Sequence, residues 1–124
     1  MILIDTNVFV DHLRGHKPAT EFFESLTTRD DVIFSAITEA ELIAGKECND
    51  SNKREILLRF LHRWDKMPVS NQIALMAGDI SRDHDLEAPD AIIAATALVN
   101  KAEVVTKNVK DFKRVTDLEI NVPY

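Results

Sequence analysis

Four carboxylates stand where the surrounding sequence gives them little reason to be. Asp5 follows the aliphatic run Ile2-Leu-Ile4, Glu41 lies within Ser35-Ala-Ile-Thr-Glu-Ala-Glu-Leu42, Asp90 follows Pro89 ahead of an apolar helix, and Asp111 follows Asn108-Val-Lys110. Brought to one place, several ionised carboxylates repel one another, and each one buried costs several kcal/mol in lost hydration. A cation among them removes that conflict. Oxygen-only ligand sets suit Mg²⁺ or Mn²⁺, which keep water and leave positions open for phosphate oxygens. A divalent ion in such a site lowers the pKa of a water and stabilises charge growing on a phosphodiester during in-line attack. The implied chemistry is metal-assisted phosphodiester hydrolysis.

The elements predicted from periodicity have to place these acids together. Ile2–Ile4, Val32–Phe34 and Glu103–Thr106 read as short β-branched strands, with weaker strands at Met67–Val69 and Ile120–Val122. Leu57, Phe60, Leu61 and Trp64 repeat at helical spacing, as do Ile73, Met76, Ala77 and Ile80. Further helices are expected at about Thr6–Arg14, Ala19–Thr27, Thr38–Gly45, Pro89–Asn100 and Asn108–Arg114. Such alternation predicts an α/β fold, a parallel sheet covered by helices on both faces. In such a sheet the strand ends and following helix starts share one rim, where ligands bind. Asp5, Glu41, Asp90 and Asp111 all fall to that rim.

Each acid also has a purely local reading. Asp5 can cap the next helix, and Thr38-Glu-Ala-Glu41 matches a capping box. Pro89-Asp90 and Asn108-Val-Lys-Asp111 look like first-turn acids favoured by the helix dipole. The metal reading rests on the four jointly.

Length and composition set the frame. At 124 residues the chain has the size of one domain, expected to span 1–124, with 45% hydrophobic and 29% charged residues. The longest nearly charge-free run, Ala91–Val99, is too short to span a membrane, and no secretory signal pattern opens the chain, so a cytoplasmic protein without membrane contact is expected. The lone Cys48 cannot form an internal disulfide. Fifteen basic against twenty-one acidic residues give a formal charge of −6, which argues against a uniformly basic nucleic-acid surface. Lys46, Lys53-Arg54 and Lys107-Lys110 nevertheless form local basic groups that flank the acids and suit an RNA backbone.

Four stretches taken in order resemble the PIN-domain nucleases, and within them the VapC-like toxins of toxin–antitoxin pairs. They are Ile4-Asp-Thr-Asn-Val8, Ser35-Ala-Ile-Thr-Glu-Ala-Glu-Leu-Ile-Ala-Gly45, Pro89-Asp-Ala-Ile-Ile-Ala-Ala-Thr-Ala97 and Val105-Thr-Lys-Asn-Val-Lys-Asp-Phe112. The resemblance implies a three-layer α/β/α sandwich with a short central parallel sheet, acting as a Mg²⁺- or Mn²⁺-dependent endoribonuclease. It implies that Asp5, Glu41 and Asp90 are metal-site and catalytic carboxylates, with Asp111 the fourth and Asn108 a neutral alternative in the same motif. Thr6 and Asn7 are expected to hold the Asp5 loop and to contact water in the metal site. The implied partners are an RNA substrate, a cognate antitoxin whose peptide arm covers the site, and a second copy in a homodimer, within a larger toxin–antitoxin assembly. The competing reading is a non-catalytic PIN-like fold whose acidic pocket holds a basic peptide; loss of one of Asp5, Glu41 or Asp90 would be its sign, and all three are present.

Other α/β phosphate enzymes fit less well. A receiver-type domain wants an aspartate ending a central strand, and Met67-Pro-Val-Ser70 has none; a haloacid-dehalogenase phosphatase wants a second aspartate at position 7, which is Asn7. His84 and the pair His12 and His16 suggest zinc, but Gly15 is expected to end the helix that would align the pair, and no cysteine ligands accompany them. Arg82-Asp-His-Asp-Leu-Glu87 adds charge just ahead of Asp90 and is expected either to be a solvated loop or to reach the rim.

Overall fold

A computed structural model describes all residues, 1–124. Five short strands, β1 (Ile2–Ile4), β2 (Val32–Ser35), β3 (Asp65–Met67), β4 (Glu103–Val105) and β5 (Ile120–Asn121), form one sheet in the order β3-β2-β1-β4-β5. Every pairing is parallel. Parallel neighbours require crossovers, supplied by helices α1 (Thr6–Leu13), α2 (Lys17–Ser25), α3 (Ala36–Ile43), α4 (Ser51–Leu61), α5 (Asn71–His84), α6 (Ala88–Asn100) and α7 (Val109–Phe112). The result is the α/β/α sandwich expected from the alternation of elements.

Side-chain alternation along the strands divides the core into two layers. Leu3, Ile33 and Val104 point to one face, where they pack with Ile73, Ala77 and Ile80 of α5, Ile93 and Ala94 of α6, and Phe112 of α7. Ile2, Ile4, Val32, Phe34 and Val105 point to the other, against Val8 and Phe9 of α1, Phe23 of α2, Leu42 of α3, and Leu57 and Leu61 of α4. Phe9 sits at the centre of the second layer, its ring centroid 5.1 Å from Phe23, 5.7 Å from Phe34 and 6.2 Å from Trp64.

Three expectations shift. The third strand lies at Asp65–Met67, slightly before Met67–Val69, because an edge strand needs one apolar face only and Lys66 reaches Glu39 at 2.9 Å. Helix α4 ends at Leu61, so Trp64 lies beyond it and folds back on Phe60, with ring centroids 4.9 Å apart. The capping-box reading of Glu41 also fails: Ser35 caps α3 by accepting from the Ile37 amide, and Thr38 is fully buried inside the helix. Glu41 is therefore free of any capping duty.

Candidate active site at the carboxyl ends of the strands

Strand order reverses between β1 and β4, with β2 and β3 lying to one side of β1 and β5 beyond β4. In open parallel sheets the crevice at such a reversal is where ligands bind. Asp5 stands there, one residue past β1, 4% exposed, its amide donating to Val105 O at 2.9 Å. Its Oδ1 accepts from the Thr6 amide at 2.8 Å, so it does cap α1, and its Oδ2 accepts from Thr106 Oγ1 at 2.7 Å. Both carboxylate oxygens are thus fixed.

Burial pushes the Asp5 carboxyl up to about 6, opposed by the Thr106 and Thr6 hydrogen bonds and reinforced by the negative charges of Asp90 and Glu41. Asp90, half-buried in the first turn of α6, is likewise raised, first by burial and then by Asp111, Glu41 and Glu87. Asp90 is therefore the middle of the group, feeling acids from both sides. Thr6 Oγ1 donates to Glu41 Oε1 at 2.8 Å and meets Thr38 Oγ1 at the same distance. Asn108 Nδ2 donates to Asp111 Oδ2 at 3.0 Å. Asn7 turns towards the same loop, with Nδ2 at 3.4 Å from Thr106 Oγ1 and Oδ1 at 3.5 Å from the Lys107 amide.

The charged loop before α6 divides. Arg82 and Asp83 lie in the last turn of α5 and pair with each other rather than forming the expected loop, whereas Asp85 and Glu87 line a cleft of about 410 Å³ with Asp90, Asp111 and Arg114. Arg114 spans this cleft wall, donating to Asp85 O at 2.8 Å and pairing with Asp111 at 3.4 Å. The other candidates, Lys46, Lys53, Arg54, Lys107 and Lys110, are all exposed, and of these Lys107 is engaged by the ring and carbonyl oxygen of Tyr124. His12 is bound to Thr20 at 2.9 Å and stacked on Phe60, and Gly15, at φ +82°, ends α1 before His16.

The donor set suits a hard divalent cation. The like charges around Asp90 supply the physical demand, since each raises the cost of ionising its neighbour until a cation arrives.

Sequence marked Thr38 only as a helix cap and Thr106 only as the end of a strand, and neither as part of the site. Both are fully buried polar residues beside site acids. The signal available was a threonine inside an otherwise apolar helix face and another closing an apolar strand.

Residues 2–118 match the PIN domain family. "Ribonuclease VapC10" of Mycobacterium tuberculosis is 33% identical over 124 aligned residues, covering 96% of this chain and 91% of its own length. A toxin–antitoxin complex from Klebsiella pneumoniae contains a chain of similar fold, with a TM-score of 0.81, 28% identity and coverage of 100% of this chain and 98% of that one. VapBC-1 from nontypeable Haemophilus influenzae gives a TM-score of 0.81 at 27% identity, covering 99% of this chain and 98% of that one. With four acids gathered along the rim of a parallel sheet and a family match spanning nearly its whole length, this chain belongs to the PIN domain family.

Proposed function

We propose that this chain is an endoribonuclease that hydrolyses RNA phosphodiester bonds and serves as the toxin of a toxin–antitoxin pair, folding as one nuclease domain over 1–124 and working in the cytoplasm. The observation that carries the reading is Asp5: a carboxylate buried at the strand-order reversal, fixed through both oxygens and sharing its surroundings with Asp90 and Glu41. The ribonuclease name of the Mycobacterium tuberculosis relative supports the activity, and the toxin–antitoxin assemblies among the similar structures support the role. No helix is long and apolar enough to cross a membrane.

Asp5, Asp90, Glu41 and Asp111 would hold Mg²⁺ or Mn²⁺. Bound there, the ion supplies Lewis acidity towards the scissile phosphate and a water acidified for attack. The chain supplies the rest. Thr6 and the Asp5 backbone keep two acids from swinging apart, Asn108 and Arg114 hold Asp111 on the far side, and Asn7 ties α1 to the loop after β4. Lys46, Lys53, Arg54 and Lys110 position the RNA backbone without reading its sequence.

The cognate antitoxin has a surface to cover. Val10, Leu13, Leu42, Ile56 and Leu57 line an open groove of about 490 Å³ that also includes Glu41, so an apolar segment lying in it would end beside the acids. A basic residue on that segment would then replace the cation electrostatically. A second copy of the chain completes a homodimer within the assembly.

The test compares antitoxin-free protein with the Asp5→Ala, Asp90→Ala double variant on end-labelled RNA, with Mg²⁺, with Mn²⁺ and with chelator. Metal-dependent cleavage at discrete sites by the first protein alone is expected. Equal cleavage by both would remove the site assignment, and retention of antitoxin binding without any cleavage would favour the non-catalytic, peptide-binding reading.

A further inference from the structure

Thr106 occupies a position from which a single hydroxyl bonds one of the four acids, Asp5, and holds the backbone of Asn108, the residue that bonds another. It follows β4 directly, as Asp5 follows β1, and Val105 pairs with Ile4 in the parallel ladder, so the two residues emerge side by side at the point where strand order reverses. The backbone holds both. Asp5 N donates to Val105 O at 2.9 Å, and Thr106 N donates to Asn121 O at 3.1 Å, which anchors the threonine from the β5 side as well. Its side chain is fully buried, so no bulk water competes for its hydrogen bonds.

The neighbours of Thr106 Oγ1 leave its proton only one destination. The Asn108 amide at 2.9 Å is a donor and cannot accept, and Asn7 Nδ2 at 3.4 Å is a donor too. Asp5 Oδ2, at 2.7 Å, is the sole acceptor of the three. The hydroxyl therefore donates to Asp5 and spends its two lone pairs on Asn108 and Asn7. No lone pair remains for a cation. Thr106 is thus excluded from the ligand set by its own bonding, although it touches a site carboxylate.

The chain of contacts continues outward. Asn108, whose backbone amide is taken by Thr106, uses its side-chain Nδ2 to hold Asp111 Oδ2 at 3.0 Å. Asp5 and Asp111 are in this way linked through the buried Thr106 hydroxyl and Asn108. Their separation is set by Thr106 and Asn108 together, in a region where mutual repulsion would otherwise drive the acids apart.

We propose that Thr106 is a positioning residue for cation binding: its hydroxyl fixes which way Asp5 Oδ2 points and, through Asn108, sets the distance between Asp5 and Asp111. The proposal rests on the metal-dependent reading of the site. Groups that orient ligating carboxylates through hydrogen bonds typically contribute 10–100-fold in metal affinity. The lost contact should therefore appear in binding of the metal alone, before any RNA is added.

The experiment measures Mn²⁺ affinity of chelator-stripped protein by loss of the free-ion electron paramagnetic resonance signal, alongside thermal melting. Thr106→Val keeps the shape and removes the O–H; Thr106→Ser keeps the O–H and removes the methyl. Expected are a 10–100-fold loss of affinity for the valine variant, recovery to within about threefold of the original for the serine variant, metal-free melting of the serine variant near the original protein, and a lower but still cooperative melt for the valine variant, which leaves Asp5 Oδ2 and the Asn108 amide without their partner. Should the valine variant fail to fold, Thr106→Cys, with a weak donor in nearly the volume of serine, carries the comparison and is expected to bind roughly tenfold more weakly. Unchanged affinity in a folded valine or cysteine variant overturns the positioning role. So does equal loss in the valine and serine variants, which would assign the effect to the methyl group. Absence of Mn²⁺ binding by the unaltered protein is a different result: it overturns the metal-site reading itself.

Discussion

Thr6 Oγ1 donates to Glu41 Oε1 at 2.8 Å across a separation of 35 residues, and the buried Thr38 hydroxyl stands at 2.8 Å behind it. Because Thr6 gives its only proton to Glu41, Thr38 supplies the proton of the second contact, and an exposed glutamate is held by a pair of threonines on α1 and α3. Thr6→Val should lower kcat/KM for RNA cleavage about 10-fold or more, with Thr6→Ser close to the original. The valine variant should also lose about 1–3 kcal/mol of stability, since the Thr38 hydroxyl is left buried without its partner. Unaltered cleavage by a folded Thr6→Val protein would separate Glu41 from the reaction.

The burial of Asp5 predicts an inverse relation between activity and stability. Its carboxyl is raised from 3.8 to about 6, so the native state holds this proton more tightly than the unfolded chain. That contribution to stability is complete below the unfolded value and is lost as pH rises through the native one. In chelator-treated protein at pH 7.5, Asp5→Asn removes the cost of burying a charge but keeps a single acceptor oxygen for the two donors Thr6 N and Thr106 Oγ1, so one hydrogen bond is lost and the net gain in stability should be about 1 kcal/mol. The advantage should vanish near pH 4, and cleavage should be absent throughout. Urea titrations at the two pH values decide it; a less stable variant at pH 7.5 would contradict the burial argument.

The remaining acids should differ in weight according to their place. Asp90 feels both Asp111 and Glu41, whereas Asp111 is partly neutralised by Arg114 at 3.4 Å. Asp90→Asn should abolish detectable cleavage at any Mn²⁺ concentration, while Asp111→Asn should chiefly raise the Mn²⁺ concentration for half-maximal rate, by about 10-fold. Rate against Mn²⁺ concentration for the two variants is the measurement, and identical curves would argue against a graded site.

Charge reversal of Lys53, Arg54 and Lys110 should weaken RNA binding and flatten its salt dependence by about two in log–log slope, since each contact to single-stranded RNA contributes roughly 0.7. Lys107 is left out because Tyr124 already engages its ammonium and its ring packs over it. Unchanged salt dependence would place the RNA path elsewhere.

Phe9 has no exposed surface and meets the rings of Phe23, Phe34, Phe60 and Trp64. Phe9→Ala should cost about 3–5 kcal/mol. The same helix carries Thr6 and Asn7, so activity should fall below the melting temperature as α1 loosens. Calorimetry with parallel cleavage assays tests both parts.

Much of this protein was legible in its sequence. The short apolar runs at Ile2–Ile4, Val32–Phe34 and Val104–Val105 specify buried strands, because a parallel strand covered on both faces has no polar side to show. The helical spacing of Ile73, Ala77 and Ile80 likewise announces α5. Asp5, Glu41, Asp90 and Asp111 stood out because a carboxylate beside such runs is expensive. Other features needed the tertiary structure. Local pattern made Thr38 a helix cap, whereas the fold buries it behind Thr6. Thr106 looked like the last residue of a strand, and only the pairing of β4 with β1 sets its hydroxyl on Asp5. Glu87 and Asp85 joined the cleft while Asp83 did not, a division decided by the left-handed turn at Asp85, φ 55°, which no periodicity encodes. The sequence determines element type through local burial and backbone preference. Which buried polar groups satisfy which depends on contacts between distant residues, such as Thr106 and Asp5, 101 positions apart, and those exist only once the sheet has formed.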